Sequence, residues 1–424
     1  MSTLRNAWKV PDLRNRIIFT ILMVAIVRIG NHIPVPGIDT SALSNLAKAG
    51  TLFSFYDLMS GGALSSFSIF AMGVIPYINS SIIFQLLTIA IPSLEQLSKE
   101  GEEGRKKIQK YTRYCAVIFG AIQSLGTYAL IRNYGAISNV SNFDVFLIVL
   151  TLTTSSVFLM WLGDQITVKG IGNGISLIIF VNIMSRLPRE VGRIASLQST
   201  GAVSEVQIVL LLVLVIALFT AVVISALSER RIPIQYAAKQ SGGRVFKGQS
   251  THIPINLNSS SVIAIIFAMS VMQFPATIGS FWPESAFNKF ITLSKYSVFK
   301  NNSLPYAIIT IVLVVFFTWF YSEVTFKPEE MAENIHKSAG FIPGVRPGES
   351  TARFIERVLM RMSVLGGLFA ALIAVIPMAI EGLTPFQGIS FGGTALLIEV
   401  GVALDFMRKL DSQLMMRHYK GFLK

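Results

Sequence analysis

A helix needs about 20 apolar residues to cross a bilayer, and the stretch from Phe53 to Pro92 meets that demand only in its second half. It reads FSFYDLMSGGALSSFSIFAMGVIPYINSSIIFQLLTIAIP. The first half carries Ser60, Gly61, Gly62, Ser65, Ser66 and Ser68, too many small polar groups for a lipid-facing span. The second half, Val74 to Ile91, is apolar enough to cross a bilayer. Gly73 and Pro76 mark the junction, where glycine relaxes the backbone and proline removes a donor. Lipid cannot satisfy free backbone groups, so a half-helix that enters a membrane without crossing it lies against protein or lines a cavity. The expectation is a chain that surrounds a pathway.

The remaining apolar runs supply the walls. In order they are Ile17–Pro34, Val74–Ile91, Tyr114–Ile131, Val145–Leu162, Ile175–Leu187, Val206–Leu227, Val262–Ile278, Pro305–Tyr321, Val364–Ile380 and Thr394–Met407. The fifth is the weakest, and Val206–Leu227 carries no charge at all. This pattern, with 52% hydrophobic and 14% charged residues, excludes an ordinary soluble enzyme. Cys115 is the single cysteine, so no intramolecular disulfide forms and zinc clusters are excluded. No cleavable signal is expected, because the first run starts at Ile17 and contains Arg28.

Ten crossings place both termini on one side. The N-terminus and alternate loops (1–16, 93–113, 163–173, 228–256, 323–361, 408–424) hold 27 Lys and Arg; the other loops hold 8, and Arg28 lies within the first span. The basic side is cytoplasmic by the positive-inside rule, which also accounts for the net charge of +13 without invoking nucleic acid. The polar region Ser196–Ser204 divides the spans five and five, giving halves 1–200 and 201–424. An odd number in each half inverts the second relative to the first, as in transporters and channels built of inverted repeats.

Three cytoplasmic loops offer docking chemistry. Loop 93–113 mixes Glu95, Glu100, Glu102 and Glu103 with six basic residues, as a solvated connector or a docking surface. Loop 228–256 interleaves Arg230, Arg231, Lys239, Arg244 and Lys247 with Tyr236 and Phe246. That pattern suits phosphate backbones and stacking, and equally an anionic-lipid contact or plain connector. Loop 323–361 presents Arg346 on a turn fixed by two prolines and two glycines, FIPGVRPG.

Enzyme motifs are absent: there is no phosphate-binding GxxxxGK[ST], and His32, His252, His336 and His418 have no metal-ligand spacing. Gly170-Ile-Gly-Asn-Gly174 follows no strand and reads as a flexible re-entry into the fifth helix. No catalytic residue, metal or cofactor is expected. Of the charges near spans, Arg28 and Asp405 lie toward span ends, while Glu399 falls near mid-membrane, where an ionised carboxylate costs roughly 2.5–3.5 kcal/mol. One acid without a basic partner fits either an ion-coupled transporter or a polar-lined cavity.

The motifs SGGALSSFSIFAMGVIPYI (60–78), EGEEGRKKIQKYTRY (100–114), MWLGDQITVKGIGNGIS (160–176), RRIPIQYAAKQ (230–240), QSTHIPINLN (249–258), FPATI (274–278), GFIPGVRPGEST (340–351) and FGGTALLI (391–398) together resemble the SecY/Sec61-alpha family, the channel subunits of protein translocons, nearly end to end. That resemblance implies an all-α integral membrane protein: ten transmembrane helices in two inverted pseudo-symmetric five-helix halves around a central pore, with a re-entrant plug half-helix at about 53–70. The plug motif is Ser60, Gly61, Gly62, Ala63, Leu64 and Ser65. The apolar pore ring is Val74 and Ile78 beside a Pro76 kink, Ile175 and Ile179 after the GIGNG turn, Ile266, and Ile398. Glu399 departs from the apolar residue expected next to that ring. A lateral gate opens between the second and third spans and the seventh and eighth, with Gln85, Gln123, Ser124 and Ser270 as its polar contacts.

The resemblance further implies a non-enzymatic, bacterial plasma-membrane channel that moves unfolded secretory polypeptides and releases hydrophobic segments sideways into lipid. Its partners would be SecE and SecG subunits, the SecA motor ATPase, a translating ribosome, signal peptides and nascent chains, and membrane lipids. Arg230, Arg231 and Lys239 would face the ribosome and Arg346 the motor. The competing classes are a secondary transporter, with small-solute flux dependent on Glu399, and a membrane-embedded enzyme.

Overall fold

The computed structural model describes residues 7–35, 57–133, 141–236, 239–241, 244–246, 250–257, 261–280, 282, 285–293, 297, 299, 303–384, 386 and 393–421. Each of the ten apolar runs falls on a helix: α1 (Pro11–Gly30), α2 (Ile75–Ala90), α4 (Glu102–Asn133), α5 (Asn142–Lys169), α6 (Gly174–Met184), α8 (Glu205–Leu227), α9 (Ser261–Ser280), α11 (Leu304–Phe326), α13 (Glu349–Leu383) and α14 (Gly393–Gly421). Among the described residues four helices are long and apolar enough to cross a membrane alone, or five if a bent pair counts as one span. That pair is α2 and α3 (Pro92–Lys99), which meet at 100°. Three short helices, α7 (Leu187–Ser199), α10 (Ala286–Leu293) and α12 (Pro328–Lys337), complete the set.

Local chemistry sets the helix starts. Ser141 with Asp144 and Ser204 with Gln207 form capping boxes at α5 and α8, each satisfying donors that the first helical turn leaves open. Pro76 sits in the first turn of α2, with Val74 as N-cap, so it starts this helix and does not kink it. A missing N–H costs nothing there. The Ile78 amide still donates to the Val74 carbonyl at 3.1 Å, which stacks the two side chains one turn apart.

The GIGNG turn is tightly built, contrary to the flexible re-entry expected of it. Asn173 Oδ1 accepts the amides of Ile175 and Ser176 at 3.1 and 3.3 Å, and Thr167 Oγ1 accepts that of Gly174 at 2.8 Å. Gly172 takes φ +87°, a conformation that favours glycine. The fifth run is broken as well as short: α6 has 11 residues and gives way at Ser185–Arg186 to α7.

Packing joins α2 to α4, α4 to α5, α9 to α11 and α11 to α13, while α14 contacts α6, α8 and α13. α8 shows the opposite environment. Val206, Val209, Leu210, Val213 and Ile216 are all exposed, as a lipid-facing helix requires, since lipid tails replace the protein core.

The loops 228–256 and 323–361 meet in one sheet. Strand β1 (Glu229–Tyr236) pairs antiparallel with β4 (Ser250–Asn256) along one edge and with β5 (Gly340–Phe341) along the other. Strands β2 (Lys239–Ser241) and β3 (Arg244–Phe246) form a separate hairpin. Ile232, Ile234 and Ile255 of the sheet pack with Ile335, Ile342, Ile355 and Leu359 in a hydrophobic core of their own.

Candidate pore and plug site

Between α1 and α2 the chain folds inward. Residues 57–60 make one helical turn, and turns carry it from there to Val74. The re-entrant half-helix expected at 53–70 is therefore a single described turn followed by irregular chain, and residues 53–56 lie outside the described residues. Its glycines and serines explain this. Gly61 and Gly62 adopt φ +73° and +86°, and the Ser65 and Ser66 hydroxyls donate to the Gly62 carbonyl at 2.9 and 3.0 Å in competition with helix bonds. A Cβ at Gly61 would press on the Asn182 backbone at 2.9 Å.

This segment is buried. Ser60 and Ala63 are fully enclosed, as are Gly61, Gly62 and Leu64, with Ser65 half-buried. Leu58, Met59 and Phe70 belong to one apolar cluster with Val74, Ile78, Ile179 and Ile398, against which Ile175 and Ile266 are packed. All six expected ring positions, at the start of α2 and on α2, α6, α9 and α14, thus belong to or pack against the cluster that also holds Leu58, Met59 and Phe70. Glu399, next along α14, is 9% exposed.

Polar groups that the sequence reading missed hold the segment from below. Asn31, capping α1, donates through Nδ2 to the Ser60 carbonyl at 3.2 Å and to Asn182 Oδ1 at 3.0 Å. Asn182 of α6 in turn donates to the Met59 carbonyl at 3.2 Å. Two buried amides therefore clamp consecutive plug carbonyls. Asp57 Oδ1 accepts the Ser65 amide at 2.7 Å, and its Oδ2 lies 3.4 Å from Arg186 Nη1; Arg186 Nη2 lies 3.6 Å from Glu190 Oε1. On the upper side Ser156 of α5 donates to the Gly73 carbonyl at 3.0 Å, and Phe70 stacks with Phe158 at 6.1 Å between ring centroids. The signal for Asn31, Asp57, Asn182 and Arg186 was a polar group at the edge of an apolar run, with nothing to say which would meet.

The seam between spans is closed, with α9 packed against both α2 and α4. Gln123 is buried, Ser270 half-buried and Gln85 exposed. Ser124 faces another way than expected: its hydroxyl donates to the Gly120 carbonyl at 2.7 Å and lies 3.3 Å from Thr153 Oγ1 of α5, so its polar contact is with the fourth span.

On the loops 228–256 and 323–361, Arg230, Arg231 and Arg346 are exposed. Arg231 Nε donates to Glu229 Oε1 at 2.6 Å. Lys239 stands on β2 opposite Phe246. The Arg346 turn follows β5 directly, with Gly344 at φ +81° and the Arg346 carbonyl accepting the Thr351 hydroxyl at 2.9 Å. The shared sheet puts the two arginine-bearing loops on one platform, a juxtaposition not foreseen.

Among known proteins, the family model described as SecY matches residues 68–407. The chain is 41% identical to the protein translocase subunit SecY of Aquifex aeolicus, covering 99% of each. It is 40% identical to that of Escherichia coli strain K12, covering 97% of this chain and 94% of the relative. In fold it resembles the structure described as that of a protein conducting channel, with a TM-score of 0.66 at 18% identity, over 94% of this chain and 91% of that one. A second likeness is to Sec61 in the canine ribosome-channel complex, with a TM-score of 0.62, 18% identity and the same coverage. The chain is a member of the SecY family.

Proposed function

We propose that this chain forms a passive, gated channel that conducts unfolded secretory polypeptides across the membrane and releases apolar segments sideways into lipid. The observation that carries this reading is the convergence of the buried segment 57–74 with Val74, Ile78, Ile175, Ile179, Ile266 and Ile398 on one apolar cluster. An apolar constriction under a stopper blocks ions by dewetting, and its flexible side chains yield around a passing chain. The relatives named protein translocase subunit SecY support the same reading.

The halves 1–200 and 201–424 flank this pore, and the seam of α2 and α4 against α9 is its lateral gate. Gln123 and Ser270 are the polar contacts best placed for that gate, and Ser124 serves to join α4 to α5. Interhelical polar contacts in membranes average about 0.6 kcal/mol, weak enough to break during gating. The chain sits in a plasma membrane with both termini cytoplasmic, as the 27-to-8 distribution of basic residues supports. Energy comes from outside the chain: a ribosome on Arg230, Arg231 and Lys239, and a SecA-type motor on the Arg346 turn. SecE- and SecG-type subunits complete the channel.

The test is reconstitution with those subunits and the motor in vesicles carrying a radiolabelled secretory precursor. Motor-driven protection of the precursor from protease supports the channel. A saturable small-solute flux abolished by Glu399→Gln, without precursor protection, would replace it with a transporter.

A further inference from the structure

The buried charges beneath the plug have no part in the pore ring, the lateral gate or the docking platform. Asp57 is 2% exposed and Glu190 6%, and both face Arg186, the N-cap of the short helix α7. Burying two carboxylates and a guanidinium is costly unless each is paired. Only one of these groups belongs to the plug segment. Glu190 stands in the first turn of α7, on the same rigid corner as Arg186, whose carbonyl accepts the Glu190 amide at 3.1 Å. The separations of 3.4 and 3.6 Å are those of charge contacts and not of tight hydrogen-bonded forks. Glu190 therefore keeps a partner for Arg186 when Asp57 leaves. The guanidinium never becomes a lone buried charge, and the plug can withdraw without the full desolvation penalty.

We infer that Arg186 is the positioning residue of a releasable ionic catch: its guanidinium, held in place by Glu190, binds Asp57 and keeps the plug seated. Two neighbours sharpen the geometry. Asp57 spends its other oxygen on the Ser65 amide, so the carboxylate that meets Arg186 also ties the two ends of the plug loop together. Arg189 places its guanidinium where a side chain at Gly62 would stand, so a second guanidinium lies against the plug beside the catch. The proposal rests on the reading of this segment as the plug.

The experiment uses the reconstituted complex at rest, with Cys115, the only native cysteine, replaced by alanine and Ala63→Cys introduced in the enclosed plug. The readouts are the rate at which a membrane-impermeant maleimide added from the outer side labels position 63, and the resting ion conductance. Arg186→Gln and Asp57→Asn are each expected to raise labelling about tenfold, and the double variant no more than either alone, because both remove one contact. Arg186→Lys, which retains the charge, is expected to stay near the parent. Equal labelling of Arg186→Gln and Arg186→Lys, or additive effects of the two neutral variants, would overturn the catch. If Arg186→Gln does not assemble, Asp57→Asn against Arg186→Lys decides the same question. Labelling that rises as expected while conductance stays at the parent level upholds the catch and removes the plug reading instead.

Discussion

Asn182→Leu removes the amide clamp while keeping the same branched arrangement of side-chain heavy atoms, and its consequence can be worked out from the structure. Asn182 accepts from Asn31 at 3.0 Å and donates to the Met59 carbonyl at 3.2 Å, so two buried hydrogen bonds vanish. Asn31 keeps its bond to the Ser60 carbonyl, and α6 is otherwise unaltered. A neutral hydrogen bond contributes about 1 kcal/mol net, and polar contacts between membrane helices about 0.6. Only the bond to the Met59 carbonyl joins Asn182 to the plug, so its loss shifts the seated-to-displaced ratio by about 0.6–1 kcal/mol, or roughly 3- to 5-fold. The assay is single-channel recording of the resting complex in planar bilayers, where open probability reads that ratio directly. An Asn182→Leu channel that still exports precursor but shows an unchanged resting open probability would refute the idea that the amides hold the plug shut.

Other parts of the molecule make separate predictions. Ile78→Ser and Ile179→Ser, at buried positions of the ring, are expected to leak ions severalfold more than the parent, measured as proton or chloride flux from vesicles; unchanged flux would count against the ring assignment. Arg346→Glu is expected to impair motor-driven export while leaving ribosome binding intact, because its turn is separate from the β1 arginines although on the same platform; loss of both activities together would contradict that division. Ile355→Ala empties a fully buried position under the sheet and is expected to cost about 2–5 kcal/mol of local stability. Limited proteolysis should then cut the loop 228–256 faster, and an unaltered digestion pattern would show that the platform does not depend on this core.

The sequence and the structure agree most closely where the physics is local. Ten apolar runs become ten helices because length and hydropathy are properties of a contiguous stretch. The composition of residues 53–73 announced an element unable to face lipid, and its described part, 57–73, is largely enclosed by protein. Its internal geometry was less legible. Serines and glycines that weaken a span also weaken any helix, so most of the expected half-helix is turns, and Pro76 starts α2 where a kink was anticipated.

Long-range pairing was the part that could not be read. Asn31, Asp57 and the corner holding Asn182 and Arg186 lie on three separate segments, and only the fold brings them together. The three-stranded sheet was hidden by Pro233 and Pro254, which argue against strands. The structure accommodates Pro233 opposite His252 and Pro254 opposite Arg231 in a sheet of three strands. The alternation around Ile232 and Ile234 was the available clue, since both point into the small core while their neighbours are exposed. The contact of Ser124 with Thr153 of α5 was equally hidden, because a helix face cannot be assigned without knowing which neighbour it meets.

The most direct test of the channel itself is site-specific photo-crosslinking from position 78 to a secretory precursor stalled midway through export. Ile78 is one turn below Val74 and packed in the cluster beneath the plug, whereas Val213 on α8 is exposed toward lipid. The account predicts strong precursor adducts from position 78 and none from position 213. Adducts from position 213 alone, or from neither while export proceeds, would place the polypeptide path elsewhere.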